Sequence, residues 1–173
     1  MATDKSLRET RLVFYKEDID SLNAIIDAFL KQSAAKCALL IDKDGHMVTG
    51  RGATQKIDVD TISALVAGSF AATREMAKLL GEEEFSALFH QGKSDNIQLS
   101  LVGDRALLTA IFDDQTTVGM VRLYAAEAAK RLAAIFKKKS ADAAADRTDR
   151  PPAEPDAAFR SSSANALDEL FGK

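Results

Sequence analysis

Apolar residues change their spacing several times along this chain of 173 residues, and each spacing predicts a different element. The longest segment with a single spacing covers residues 57–81. At 100° per residue its apolar side chains form one broad arc, which is typical of an amphipathic helix. The arc contains Ile62, Leu65, Val66, Phe70, Met76, Ala77 and Leu80. Asp58 or Asp60 is predicted to cap the start of this helix, and Gly81 to follow its end in a left-handed conformation.

The opposite face of this helix has almost no long side chains in its middle. Its members are Asp60, Ser63, Ala64, Ala67, Gly68, Ala71, Arg74, Glu75 and Lys78. A helix face exposed only to solvent usually carries charged side chains, whereas small residues let another protein surface approach closely. We therefore predict a contact surface on this face. The simpler alternative is that alanine occurs here only because it favours helices.

The rest of the chain alternates between helical and strand spacing. Residues 16–31 and 118–136 have the periodicity of helices. Apolar runs or alternating apolar residues predict strands at 37–41, 46–51, 97–101 and 106–112, with an Asp44-Gly45 hairpin turn between the first two. Residues 86–91 fit either a helical turn or a short edge strand. The order of helix, hairpin, helix, strands and helix predicts an α/β sandwich with a central antiparallel sheet.

The two ends of the chain differ from the middle in composition. We predict a flexible N-terminal arm at residues 1–11 and a folded domain at 12–139. Residues 140–163 contain all three prolines and no apolar period, which indicates a disordered linker. In segment 164–173, Leu167, Leu170 and Phe171 share one helical face, as in short docking motifs. The alternative is an incidental hydrophobic tail.

Composition and charge narrow the classes of function. The formal net charge of −3 does not favour nucleic-acid binding. No apolar run approaches the roughly 18 residues that a membrane span needs, and the polar N-terminus is not a signal peptide. We therefore expect a cytoplasmic protein. Cys37 is the only cysteine, which excludes an internal disulfide.

Sequence signals for catalysis, cofactors or metals are weak. The chain has no glycine-rich phosphate-binding loop and no Gly-x-Ser-x-Gly motif. Asp113 and Asp114 follow a strand without a nearby base or nucleophile, so we interpret them as turn and capping residues. Residues 42–45 resemble a calcium loop only in part, because His46 and Met47 stand where that loop needs Asp or Asn and then Gly. We expect no enzyme active site, no cofactor and no metal.

Several segments taken together resemble the Roadblock/light-chain family. They are LVFY at 12–15, ALLIDKDGHMV at 38–48, LVAGSFAAT at 65–73, AKLLGEEEF at 77–85, FHQG at 89–92 and ALLTAIFDDQTTVGMVRL at 106–123. The ending LDELFGK also resembles the C-terminal segment of some bacterial members. The resemblance implies a Roadblock-like sandwich that forms homodimers through its second helix and one sheet edge. It thereby favours an edge strand at 86–91.

The resemblance also implies a function. In bacterial members the paired helices form a platform for a small Ras-like GTPase of the MglA type, with two protomers to one GTPase. The platform speeds GTP hydrolysis by reshaping the switch regions of the GTPase. On this chain the implied contacts are Ser63, Ala64, Ala67, Gly68, Ala71, Arg74, Glu75 and Lys78, with C-terminal docking by Leu167, Leu170 and Phe171 that tunes nucleotide exchange.

No inserted arginine finger is expected in this mechanism. Arg74 is the one arginine on the predicted contact face, and a helix side chain in the middle of an interface is poorly placed to reach a buried phosphate. The family's bacterial members also imply a role in cell polarity and gliding motility, with the protein concentrated at a cell pole. The alternatives are a scaffold that tethers a GTPase without activating it, and a small enzyme or ligand sensor with a polar pocket.

Overall fold

Five antiparallel strands form the centre of the molecule, described here for residues 16–148 of a computed structural model. In chain order the elements are α1 (Lys16–Ser33), β1 (Cys37–Asp42), β2 (Met47–Gly52), α2 (Val59–Leu79), β3 (Ala87–His90), β4 (Asn96–Val102), β5 (Ala106–Phe112) and α3 (Val118–Thr148). The strand order is β2-β1-β5-β4-β3, so β2 and β3 are the sheet edges. The predicted α/β sandwich with an antiparallel sheet is confirmed.

The sheet separates two hydrophobic cores. Along the central strand β5, Ala106, Leu108 and Phe112 join a core formed with α1 and α3. Leu107 faces the other side and joins the core formed with α2. Because helices cover both faces, all residues of β5 are buried, and the strand is a continuous apolar run instead of an alternating one. The chain divides into two units, 1–137 and 138–173, and both cores belong to the first unit.

The turn between β1 and β2 is held together by Asp42. One oxygen of its carboxylate accepts hydrogen bonds from the backbone N–H groups of Asp44, at 3.0 Å, and His46, at 2.8 Å. Gly45 has a φ of +92°, which glycine adopts at little cost. A Cβ added there would lie 3.0 Å from Ala64 Cα and 3.5 Å from Ala67 Cβ. The predicted hairpin is therefore confirmed, and its turn packs closely on α2.

Both ends of α2 have the predicted caps. The carboxylate of Asp58 accepts from the backbone N–H of Thr61 at 3.1 Å and from its hydroxyl at 2.7 Å. At the other end Gly81 has a φ of +77°. Its N–H donates to the carbonyl of Lys78, and the next N–H along the chain donates to the carbonyl of Ala77. These two bonds form a Schellman motif, which fixes the length of the helix.

Replacing Asp58 with alanine is expected to lower the melting temperature, whereas Asp58→Asn keeps an oxygen that can cap the helix. The hydrogen bond from the Thr61 hydroxyl is the main reason that the pKa of Asp58 is lowered. The carboxylate therefore stabilises the fold above the unfolded pKa of about 3.9, and this stabilisation is lost as pH falls through the lower folded value. Thermal melts followed by circular dichroism should show the gap between wild type and Asp58→Ala narrowing below about pH 4. A gap of constant size would contradict the capping role of the charged form.

The last helix is longer than predicted. Helix α3 continues to Thr148, through residues 140–148 that the sequence assigns to a disordered linker. This part of the chain contains four alanines, the residue with the highest helix propensity, and the first proline is Pro151. The prediction of disorder is therefore wrong for 140–148, because the absence of an apolar period does not prevent a helix. The predicted arm at 1–11 and the docking segment at 164–173 lie outside the described residues. None of the helices within residues 16–148 combines the length and the apolarity needed to cross a bilayer.

Candidate functional site

Helix α2 carries the candidate contact residues, and it is rotated relative to the prediction. Its buried residues are Ser63, Val66, Ala67, Phe70, Thr73 and Ala77. The sequence places Leu65, Met76 and Leu80 in the buried arc, but all three are exposed. It places Ser63 and Ala67 on the exposed face, but both are buried. At 100° per residue the buried stripe is centred about 60° away from the predicted arc.

Two local contacts explain why small polar or apolar residues occupy the buried stripe. The hydroxyl of Ser63 donates to the carbonyl of Val59 at 2.6 Å, so its burial leaves no free donor. Ala67 lies under the β1–β2 turn, where Gly45 approaches both Ala64 and Ala67. Small residues at these two helix positions are therefore required by packing within the protomer. The exposed small residues Gly68, Ala71 and Ala72 have no such explanation.

Two exposed faces of α2 lie side by side. We name the first the small-residue face, which contains Ala64, Gly68, Ala71, Glu75 and Lys78. We name the second the apolar stripe, which contains Leu65, Ala72, Met76 and Leu79. Their centres are about 90° apart around the helix axis. Leu65 is 67% exposed and Leu79 is 87% exposed, so large apolar side chains project from the protomer without covering the core.

The centre of the small-residue face is open and uncharged. A Cβ added at Gly68 would meet no atom of residues 16–148 within 4 Å, so this part of the protomer leaves the position uncovered. Towards the end of the helix, Glu75 and Lys78 form an exposed ion pair at 2.8 Å. The hydrogen bond from Lys78 holds the pKa of Glu75 below its usual range. The face is thus a flat apolar surface with charges at one end.

Arg74 lies at the border between the small-residue face and the core. Its side chain is half-buried, and with Lys43 it lines a depression of about 20 Å³ beside Ala71. Lys43 also lies 3.8 Å from Glu84, which is too long for a hydrogen bond. These two basic residues give the depression a positive character. Arg74 is therefore a neighbour of the contact face and not part of its exposed centre.

The β1–β2 turn contains the one cluster of possible metal ligands found among residues 16–148. Ligand atoms of Asp42, Asp44 and His46 lie within 4.8 Å of one another. The turn brings Nδ1 of His46 to 3.2 Å from the Asp42 carboxylate. Since the other Asp42 oxygen accepts two backbone N–H groups, this carboxylate already has a structural role in the turn.

Residues 22–112 match the sequence model of the family described as Roadblock/LC7 domain. The chain belongs to this family. The resemblance inferred from its sequence segments is confirmed, and so is the fold that the resemblance implied. A comparison with curated proteins gives no match.

Within the family, the chain is similar to solved structures of MglB proteins. MglB from Myxococcus xanthus is 40% identical, with a TM-score of 0.69 over 74% of this chain and 96% of that chain. The gliding protein MglB from Thermus thermophilus is 34% identical, with a TM-score of 0.69 over 73% and 96%. An MglB structure with a tetrameric arrangement is 34% identical, with a TM-score of 0.71 over 74% and 96%. The chain thus has an MglB-like fold across nearly the whole length of these proteins.

Proposed function

We propose that this protein is a homodimeric regulator that accelerates GTP hydrolysis by a small Ras-like GTPase of the MglA type. The observation that carries the proposal is the small-residue face of α2, which is exposed, flat and uncovered at Gly68 and Ala71. The similarity to MglB proteins over nearly their full length supports the choice of partner. The protein itself performs no chemistry on the nucleotide and needs no cofactor of its own.

The homodimer is built on the apolar stripe. Contiguous large apolar side chains on a protein surface usually mark an interaction site, and here Leu65, Met76 and Leu79 are all exposed. We place the stripes of two protomers against each other across a two-fold axis, as in an isologous interface. The edge strand β3, which pairs only with β4 in the sheet, lies beside its twin in the same dimer.

Pairing through the stripe leaves the two small-residue faces next to each other. The platform then consists of Ala64, Gly68 and Ala71 from both protomers, with Glu75 and Lys78 at its rim. Ser63 and Ala67 are excluded from direct contact because they are buried in the protomer. One GTPase binds the platform of two protomers, and its switch backbone approaches the helices closely because no long side chain intervenes.

Activation follows from a shift in the population of switch conformations. A surface that binds the hydrolysis-competent conformation more tightly than the other conformations raises the population of that conformation. The ratio of the affinities sets the size of the shift. Moving that population from about 1% to about 99% requires a difference of about 5.5 kcal/mol. In this mechanism the GTPase supplies the catalytic groups and the platform supplies only the binding energy.

The test is single-turnover GTP hydrolysis by the organism's MglA-type GTPase, with and without an excess of this protein. We expect an acceleration of at least about tenfold, equivalent to about 1.4 kcal/mol in the activation barrier. Binding without acceleration would show that the protein is a scaffold instead. An absence of binding would contradict the proposal as a whole.

Replacing Arg74 with alanine is expected to change the accelerated rate by less than about threefold. Removing a true arginine finger typically costs about 10³ to 10⁵ in rate. Because Arg74 is half-buried beside Lys43, it does not project towards a partner's active site. Arg131→Ala is the matched control, since it makes the same chemical change at an exposed position of α3 away from the platform. A loss of the whole acceleration in the Arg74 variant alone, with binding retained, would identify an arginine finger after all.

A further inference from the structure

A groove with a volume of about 490 Å³ lies between α3 and the strands β3 and β4. The helix contributes Ala126, Ala129 and Ala133 to its wall, and strand β4 contributes Gln98 and Ser100. The groove is on the face of the sheet that packs against α1 and α3, opposite to α2. It is therefore separate from the proposed GTPase platform. Its volume falls in the range of about 300–1,000 Å³ that is usual for ligand sites.

Gln98 lies in the wall of the groove and has an unused hydrogen-bond acceptor. The residue is only 1% exposed. Its amide Nε2 donates to the carbonyl of Leu99 at 2.9 Å. Among residues 16–148 the Oε1 atom has no hydrogen-bond partner, and almost none of its surface is accessible. Since buried polar atoms are normally satisfied, a small turn of this side chain towards the groove would let an N–H donor of a ligand satisfy the oxygen.

Two cations flank the alanines of the groove. Arg122 and Lys130 are both exposed and both line it, and they lie two turns apart on α3. Neither cation forms an ion pair with another of residues 16–148. An apolar surface between two uncompensated positive charges is complementary to an apolar peptide segment that carries carboxylates.

We propose that the groove binds the C-terminal segment of a second copy of this chain. Within that segment, Leu167, Leu170 and Phe171 surround Asp168 and Glu169, so its sequence combines the required apolar and acidic side chains. The carboxylates pair with Arg122 and Lys130, and the apolar side chains lie on the alanines of α3. A backbone N–H of the segment donates to Oε1 of Gln98 after this side chain turns towards the groove.

The chain is long enough to make this contact between copies. Residues 149–166 separate the end of α3 from Leu167 and can span about 60 Å when extended. The whole of α3, with 31 residues, is only about 46 Å long. A segment on this tether can therefore reach the groove of a neighbouring protomer. Bound there, it is withdrawn from any other partner, so the contact sets how much of the segment is free.

Mixed cross-linking tests the contact directly, and it does not involve the GTPase. One full-length chain carries Ala126→Cys in the groove, and a second, distinguishable by a larger affinity tag, carries Gly172→Cys beside the docking residues. Cys37 is buried in both chains and does not react readily. In the control, the first chain carries Ala134→Cys in place of Ala126→Cys, because Ala134 is exposed on α3 outside the groove. With a short bismaleimide we expect the mixed cross-linked dimer to form at least about tenfold faster from the Ala126→Cys chain than from the control chain.

A charge exchange makes the test specific for the proposed pairing. Lys130→Glu in the groove chain should slow formation of the mixed dimer, and Glu169→Lys in the tail chain should restore it. Equal rates for Ala126→Cys and Ala134→Cys would overturn the proposal, since they would show random collision of a tethered segment. A third chain carries both cysteines. If its cross-links form only within single chains, the proposal is also overturned, because the segment would then occupy its own protomer's groove. If Glu169→Lys did not restore formation of the mixed dimer, the pairing of Glu169 with Lys130 would be wrong, and with it the proposed site.

Discussion

Arginine in place of Ala71 is expected to remove the acceleration of GTP hydrolysis while the protein remains folded, a loss of at least about tenfold in rate, or about 1.4 kcal/mol in barrier reduction. Ala71 is exposed in the middle of the small-residue face, between Gly68 and Glu75. A long charged side chain at this position would hold the switch backbone of the GTPase away from the helix. The protomer does not need to rearrange, because the substituted side chain points away from the core.

The matched control for this substitution is Ala134→Arg, which makes the same chemical change at an exposed position of α3. The control should retain full acceleration, and both variants should melt within a few degrees of wild type. Acceleration is measured in single-turnover assays, and binding by fluorescence of a labelled GTPase. If the Ala71 variant binds and activates normally, the platform is not the small-residue face. If it unfolds, the orientation of α2 is wrong.

Local signals in the sequence correctly predict both ends of α2 and the β1–β2 turn, because each signal depends on neighbouring backbone groups alone. Asp58 caps α2 by accepting from an N–H three residues on. Gly81 ends the helix because its backbone tolerates a positive φ. Asp44-Gly45 forms a turn for the same reason. None of these interactions requires knowledge of what packs against the element.

The orientation of α2 could not be obtained in the same way. Hydrophobicity assigns Leu65, Met76 and Leu80 to the core, although they project from the protomer. An apolar residue that meets another protein has the same sequence signal as one that meets the core. Its polarity assigns Ser63 to the exposed face, but a hydroxyl that bonds to its own helix can be buried. The ambiguity is therefore greatest where a helix serves both its own core and an interface.

The groove on α3 was also beyond sequence reasoning, for a different reason. Gln98 and Arg122 belong to separate elements and meet only after the sheet and helix pack. The alternating pattern of β4 shows that Gln98 differs from its apolar neighbours but not that its oxygen is left without a donor. Sites assembled from distant segments depend on tertiary geometry, and a single sequence does not encode that geometry in any local pattern.

Aspartate in place of Leu65 is expected to weaken the homodimer by at least about 1,000-fold, or about 4 kcal/mol. Burying one leucine side chain contributes about 1.5–3 kcal/mol. The two-fold axis doubles the loss, because each substitution occurs in both protomers of an isologous interface. In addition, two carboxylates are desolvated inside an apolar contact. Sedimentation equilibrium across a range of concentrations would measure the change.

Leu123→Asp is a closely matched control, because Leu123 is 63% exposed on α3 and Leu65 is 67% exposed on α2. The two substitutions are chemically identical, so any effect on solubility or folding is shared, whereas only Leu65 belongs to the apolar stripe. A dimer that survives Leu65→Asp but dissociates on Leu123→Asp would move the interface to the N-terminal part of α3.

The Leu65 variant also tests the stoichiometry of the platform. A monomer presents one small-residue face, so it should lose GTPase activation even though Ala71 and its neighbours are unchanged, and a fully active monomer would show that one protomer is sufficient.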